Sequence, residues 1–219
     1  MVRQGRVRRT GVLRTPVTGR AAPLFVSTGF AMFALTVLAG SYLARHSGTD
    51  PLDQWGFSVI RPNYHSATLN DFAQLGNPIV VACGALAAAA VSWGHDRLRA
   101  IACLVGPALA GGLTEYALKP WFDPWIRGLQ FPSGHETGAS ALVVVTLLVL
   151  SGRWLWLAVP AAAALLIALG AALVSLGWHT PSDVLAGMAT GTGAVLFADG
   201  ALHLSGLARQ RVRQNPDAS

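Results

Sequence analysis

Long apolar runs, separated by short polar segments, make up most of this sequence from residue 24 onward and limit the folds it can adopt. Of its 219 residues, 53% are hydrophobic and only 12% are charged, and the mean hydropathy is +0.47. A soluble domain of this size needs more charged residues to cover its surface. A run of about 20 apolar residues is long enough to cross a bilayer as a helix. The sequence therefore predicts one integral membrane domain.

Six apolar runs predict six membrane-spanning helices. Their approximate bounds are residues 24–44, 78–93, 100–118, 136–150, 154–174 and 184–204. The predicted fold class is all-α, a six-transmembrane helical bundle over residues 21–207, with a basic arm at 1–20 and a polar tail at 208–219. Residues 45–74 are mixed and aromatic, which indicates either an interfacial amphipathic helix that roofs the site or an ordinary loop. The cysteines Cys83 and Cys103 lie inside apolar runs, and we expect both to be buried without ligating metal.

The distribution of positive charge predicts an orientation. Six spans place both termini on one side, and with that side inside, twelve of the sixteen Lys and Arg residues face inward. Arg8-Arg9 resembles a twin-arginine signal, but the spans that follow favour an uncleaved anchor. We expect a multi-pass plasma-membrane protein with both termini cytoplasmic. The basic arm and tail account for the net charge of +6, and no nucleic-acid partner is expected.

Polar residues gather where three predicted spans begin or end. Pro132-Ser133-Gly134-His135 opens the fourth span, and His179 followed by Thr180-Pro181-Ser182-Asp183 opens the sixth. Spans four and five form a hairpin between them, so both histidines return to the same membrane face. Lys119, at the end of the third span, arrives at that face too, with Glu115 one turn before it as a pairing partner. We expect a polar active site at these extracytoplasmic helix ends, because polar residues in a membrane domain are usually functional.

The chemistry of these residues favours an anion. Ser133 is a good N-cap, and Gly134 lets the backbone approach a ligand at a helix N-terminus, which binds phosphate well. Lys119 and Arg127 supply cationic donors. Asp183 could receive a ring N–H from the histidine four residues before it and fix its tautomer.

Simpler interpretations exist for each part. Either helix start alone is explained by capping, and a single interfacial histidine is more often a surface residue. A metal site at His135, His179 and Asp183 lacks further ligand spacing, so no metal and no cofactor is expected. The remaining histidines lack comparable surroundings and are interpreted as structural or surface residues: His46, His65, His95 and His203.

Together these motifs resemble the type 2 phosphatidic acid phosphatase (PAP2) superfamily, and in particular its membrane lipid phosphatases. The family pattern is Lys, six residues, Arg-Pro; then Pro-Ser-Gly-His; then Ser-Arg, five residues, His, three residues, Asp. Residues 132–135 match the second motif completely, and His179 with Asp183 matches the end of the third. The motif resemblance covers about residues 118–187.

The resemblance implies a phosphohistidine mechanism that needs no metal. His179, oriented by Asp183, would attack the phosphorus of a lipid phosphate, and His135 would protonate the leaving alcohol and later activate water. The phosphoryl oxygens would be held by the remaining motif residues: Lys119, Arg127, Ser133 and the Gly134 backbone.

Two positions depart from the family pattern. Arg127 comes one residue late and is followed by Gly128, and the Ser-Arg of the third motif is Ala172-Leu173. Losing one charge-assisted contact to a developing anion costs about 3 kcal/mol, a hundredfold or more in rate. Arg61 or Arg45, from the first outside segment, is a hypothetical substitute.

The sequence therefore leaves three functions open. The first is a phosphatase acting on a prenyl (pyro)phosphate or a glycerolipid phosphate, with the lipid and the bilayer as its partners. The second is a phosphotransferase on the same scaffold. The third is a catalytically weak relative that binds lipid phosphate, which the substitution at Leu173 would permit. No motif selects the lipid or the oligomeric state.

Overall fold

The computed structural model describes residues 21–46, 50–124, 126, 130–150 and 152–214, and the side chains up to 208. The predicted arm at 1–20, most of the loop that carries Arg127, and residues 215–219 lie outside the described residues. The elements follow one another as α1 Ala21–Arg45, α2 Pro51–Val59, α3 Ala67–Ala73, a 3₁₀ turn Gln74–Gly76, α4 Pro78–Trp93, α5 Arg97–Gly112, a π-helical segment Leu113–Leu118, α6 Lys119–Phe122, α7 Gly134–Val149, α8 Trp154–Ser175 and α9 Pro181–Gln214.

Four helical stretches of the described chain are long and apolar enough to cross a membrane. They are Ala21–Arg45, Arg97–Phe122, Trp154–Ser175 and Pro181–Ala208. A fifth candidate is the pair Ala67–Gly76 and Pro78–Trp93, which is bent by 47°. The predicted fourth span is the apolar helix α7, but its 16 residues are shorter than a full crossing usually requires. The all-helical membrane fold is confirmed, whereas the count of six spans stays a prediction.

The last long helix, α9, is the centre of the bundle and packs against α1, α5 and α7. Small residues allow the closest approach: a Cβ placed on Gly29 of α1 would lie 2.5 Å from the main-chain oxygen of Gly193. The Thr36 and Thr190 hydroxyls lie 3.2 Å apart across the same contact. Small residues and hydroxyl pairs of this kind hold membrane helices together. The first half of α9 is therefore packed closely against α1.

A cluster of buried polar side chains joins the helices of the bundle in the C-terminal half of α9. The buried Arg99 guanidinium contacts Asp199 at 3.3 Å and donates to the Leu148 main-chain oxygen at 3.1 Å. His203 is also buried, and its Nε2 lies 3.0 Å from Asp96, which caps α5. These contacts join α5, α7 and α9, and His203 is structural, as expected.

The prediction that both cysteines are buried is half wrong. Cys103 on α5 is buried, but Cys83 on α4 is exposed. The reason is that α4 packs mainly through one face, with Val81, Ala85 and Ala89 buried, and leaves its other faces on the outside of the bundle.

The segment between α1 and α4 is largely helical. Asp53 and Gly56 are the buried residues of α2, and they face the start of α9. Apolar side chains stand exposed elsewhere on the same short helix: Leu52, Trp55, Phe57 and Val59. The predicted amphipathic helix is thus present, and its location at a membrane interface stays a prediction.

Candidate active site

Four predicted site residues line one cavity at the end of the bundle where α7 and α9 begin. They are Lys119, Gly134, His135 and His179. The cavity has a volume of about 610 Å³. The His135 ring also lies 5.4 Å from the ring of Trp178, measured between centroids. The structure therefore brings together side chains that are up to 60 residues apart in the sequence.

The start of α7 forms as the sequence predicts. The Ser133 hydroxyl is fully buried and accepts the Glu136 N–H at 3.3 Å, so Ser133 is the N-cap. The Ser133 N–H donates to the Asp183 main-chain oxygen at 3.0 Å, which fixes the start of α7 against the start of α9. The N–H groups of Gly134 and His135 belong to the same first turn and have no acceptor within the helix. Such groups suit an anion.

The start of α9 is closed by a reciprocal cap. The Thr180 N–H donates to Asp183 Oδ2 at 2.9 Å, and the Asp183 N–H donates to Thr180 Oγ1 at 3.3 Å. His179 Nδ1 lies 3.5 Å from the same Oδ2 atom, beyond hydrogen-bond length. The two side chains are only 11% and 3% exposed. The expected His179–Asp183 pairing is present as a close contact, and His179 Nδ1 has no hydrogen-bond partner among the described residues.

Lys119 forms an ion pair with Glu115 beside the cavity. Its Nζ donates to Glu115 Oε1 at 2.7 Å, which confirms the predicted pair. A Cβ placed on Gly134 would lie 2.6 Å from Glu115 Oε1 and 3.3 Å from Lys119 Nζ. A side chain at position 134 would therefore displace the Glu115 carboxylate, and the ion pair lies directly over the first turn of α7. Glu115 belongs to the π-helical segment, a distortion that is frequent at functional sites.

Comparison with protein families gives one match. A family model described as the PAP2 superfamily matches residues 25–199, which include every part of the site. The chain belongs to the PAP2 superfamily. Members of this superfamily are generally phosphatases that act on phosphate esters. Comparisons with curated proteins and with solved structures find no match.

This PAP2 protein departs from the family pattern in its cations. Leu173, at the position of the third-motif arginine, is fully buried in an apolar cluster and does not line the cavity. Arg127 lies outside the described residues. The two hypothetical substitutes, Arg45 and Arg61, are exposed and do not line the cavity. Among the described residues, Lys119 is the one cation in the cavity wall.

Sequence reasoning missed two buried acids beside the PAP2 motifs. Asp53 on α2 contacts Ser182 and so reaches the start of α9. Glu136 follows the motif histidine directly, and a Cβ on Gly170 of α8 would lie 3.7 Å from its Oε2 atom. The available signal for Asp53 was an acid in the first turn of a short aromatic helix. The signal for Glu136 was a carboxylate at the start of an otherwise apolar helix.

Replacing Glu136 by methionine is expected to stabilise the protein. Glu136 is 0% exposed, and neither carboxylate oxygen has a hydrogen-bond partner in the described part of the chain. A buried polar group without a partner costs about 1–3 kcal/mol, which an apolar side chain of similar size avoids. The midpoint of thermal unfolding in detergent should therefore rise for Glu136→Met. Glu136→Gln, which keeps a polar group, should change it less, and a fall in the midpoint for Glu136→Met would refute the argument.

Proposed function

We propose that this protein is a membrane-embedded phosphatase that hydrolyses a lipid phosphate ester through a phosphohistidine intermediate. The observation that carries the proposal is the placement of His135 and His179 on one cavity, with Lys119 beside them and Asp183 behind His179. Two histidines, an orienting carboxylate and a helix N-terminus supply a nucleophile, a proton donor and an anion site. Membership of a phosphatase superfamily supports the same reaction class.

The apolar part of the cavity supports a lipid as the substrate. Beyond the polar residues its wall is formed by α4 and α5, with side chains that include Val81, Ala85, Leu86 and Leu104. These helices belong to candidate membrane spans, which supports a groove at the depth of lipid chains. A prenyl or acyl chain would occupy the groove, and its phosphate would lie at the histidines. From the arginine distribution we place this end of the bundle outside a plasma membrane.

The first step would transfer the phosphoryl group to His179. The Nε2 lone pair forms a bond to phosphorus while the phosphorus–oxygen bond to the lipid breaks, and His135 gives its proton to the leaving oxygen. Asp183, 3.5 Å from Nδ1, stabilises the positive charge that develops on the ring. In this transition state the 3.5 Å contact is expected to shorten, as catalytic hydrogen bonds often do when substrate binds.

The second step would release phosphate. His135, now neutral, takes a proton from water as the water oxygen attacks phosphorus, and the phosphorus–nitrogen bond breaks. Throughout, Lys119 and the N–H groups of Gly134 and His135 would hold the phosphoryl oxygens, with Arg127 assigned the same role by the family motif. Fixed positive charge then does the electrostatic work, and no metal enters the scheme.

A second candidate function is binding of lipid phosphate without efficient turnover. Its support is the buried Leu173 in place of the third-motif arginine and the pairing of Lys119 with Glu115. Both features lower the positive charge available to a developing phosphoryl transition state.

The two functions are separated by phosphate release from a small panel. Detergent-purified protein is incubated, with a chelator present, with prenyl diphosphate, prenyl monophosphate, phosphatidic acid and phosphatidylglycerophosphate. Release from one or more lipids, together with an acid-labile phosphoryl group on the protein, is the result expected of the phosphatase. Binding of the same lipids with no release from any of them would reject it in favour of the binder.

A further inference from the structure

The helix α2 is seated on the first turn of α9 through one carboxylate. Asp53 Oδ1 accepts the Ser182 N–H at 2.8 Å, and Asp53 Oδ2 accepts the Ser182 hydroxyl at 3.0 Å. Asp53 is only 7% exposed. One turn along α2, Gly56 lies so close to the ring of Pro181 that a Cβ at this position would overlap it. The carboxylate of Asp53, which is distant in the sequence, therefore accepts a main-chain N–H at the N-terminus of α9. The helix dipole stabilises a negative charge at that end.

This contact fixes the direction of each hydrogen bond in the turn after His179. An ionised carboxylate only accepts, so the Ser182 hydroxyl must donate to Asp53. The Thr180 and Ser182 hydroxyls lie 2.8 Å apart, and Thr180 must therefore donate to Ser182. Thr180 Oγ1 is then free to accept the Asp183 N–H. The chain of bonds runs from Asp53 to the residue that faces the His179 ring.

The residues that follow α2 contact the beginning of the loop between α8 and α9. The Asn63 N–H donates to the Ser175 main-chain oxygen at 2.7 Å, and the Ser175 hydroxyl donates to the Arg61 main-chain oxygen at 2.7 Å. Gly177 has a φ of 70° and packs against the ring of Tyr64, so a side chain at this position would be strained and would also overlap the ring. Residues 50–66 therefore contact the loop from α8 to α9 both before and after His179 in the sequence.

We propose that Asp53 is a positioning residue for catalysis, which holds the Thr180–Asp183 turn so that Asp183 faces His179 Nδ1. The inference rests on the proposed function, because it assigns His179 as the nucleophile. Asp53 touches neither the cavity nor the substrate in this scheme and acts through Ser182.

Burial and hydrogen bonding act in opposite directions on the ionisation of Asp53. Burial raises the pKa of the Asp53 carboxyl above its ordinary value, and the two hydrogen bonds from Ser182 act in the opposite direction. The residue lies outside the candidate spans, in α2. Asparagine at this position resembles the protonated form, since it keeps one acceptor and loses the charge.

The test compares Asp53→Asn with Asp50→Asn. Asp50 precedes the same helix and makes no side-chain cap there, so it is a matched acid without the contact. For Asp53→Asn we expect kcat on a lipid monophosphate to fall on the order of 10- to 100-fold, the range found when a group that orients a catalytic residue is lost. KM should stay within about twofold, because the groove and Lys119 are untouched. A Ser182→Ala variant should lose activity too, and the double variant should lose less than the product of the two losses.

Two further measurements keep the inference separable from the proposed function. Wild type and His179→Ala are assayed beside the variants. If His179→Ala loses activity but Asp53→Asn is as active as wild type, the positioning role is overturned and the proposed function stands. Hydrogen exchange of residues 178–184 is measured on the same proteins. Exchange is expected to be faster in Asp53→Asn than in Asp50→Asn, whether or not the wild-type protein hydrolyses a lipid phosphate. Equal exchange would overturn the inference even in a protein that only binds lipid phosphate.

Discussion

Replacing His179 by alanine is expected to lower phosphate release on the order of 10⁴-fold or more, the scale seen when a covalent nucleophile is removed. His179 is the histidine with a carboxylate behind its Nδ1 atom, which leaves Nε2 for attack on phosphorus. The loss should fall on kcat, and binding of the lipid phosphate should change by no more than a few-fold. Initial rates with the best lipid of the panel give kcat, and quenched samples give the acid-labile phosphoryl protein, which should be absent.

The matched control for this experiment is His95→Ala. His95 is exposed in the turn between α4 and α5, at the end of the bundle opposite the cavity. It should retain wild-type rates. Imidazole added to His179→Gly should restore part of the activity, because a free ring can enter the space left by the side chain. Unchanged release from His179→Ala would mean that water or another group attacks phosphorus, and the phosphohistidine step would be abandoned.

The local parts of this site were predictable because neighbouring residues encode them. Ser133 caps α7, Thr180 and Asp183 cap α9, and Lys119 pairs with Glu115 one turn away. Each of these contacts joins residues three or four positions apart, a spacing that helix geometry alone brings together. In an antiparallel bundle, the N-termini of α7 and α9 lie at the same end. The two histidine motifs therefore lie close together.

The contacts that could not be predicted join distant segments. Asp53 and Ser182 are 129 positions apart, and no periodicity links the short helix α2 to the start of the last helix. The bounds of α7, Gly134–Val149, lie close to the predicted residues 136–150, but an apolar run of this length does not reveal whether the helix crosses the bilayer. Leu173 shows a third limit: the sequence reveals that the family arginine is missing, whereas only packing reveals that the position faces an apolar cluster.

Replacing His135 by alanine is expected to have an effect that depends on the leaving group. His135 lies in the first turn of α7, on the wall of the same cavity as His179. On a lipid monophosphate its proton is needed by the departing alkoxide, and general acid catalysis of this kind contributes about 10²–10⁴-fold. On p-nitrophenyl phosphate the phenolate leaves without protonation, so the first step should be nearly as fast as in wild type. Rates of the first step, measured within a single turnover, should therefore diverge between the two substrates in the variant.

The same substitution should also reveal the second step. Water attack on the phosphohistidine needs His135 as a base, so with the aryl phosphate His135→Ala should give a burst of nitrophenol and then stall. The acid-labile phosphoryl protein should accumulate in this variant, whereas His179→Ala gives neither burst nor intermediate. His65→Ala, an exposed histidine from the segment that encloses the α8–α9 loop, serves as the control and should behave as wild type. Equal losses on both substrates without a burst would place His135 in binding, and the division of roles between the two histidines would then be wrong.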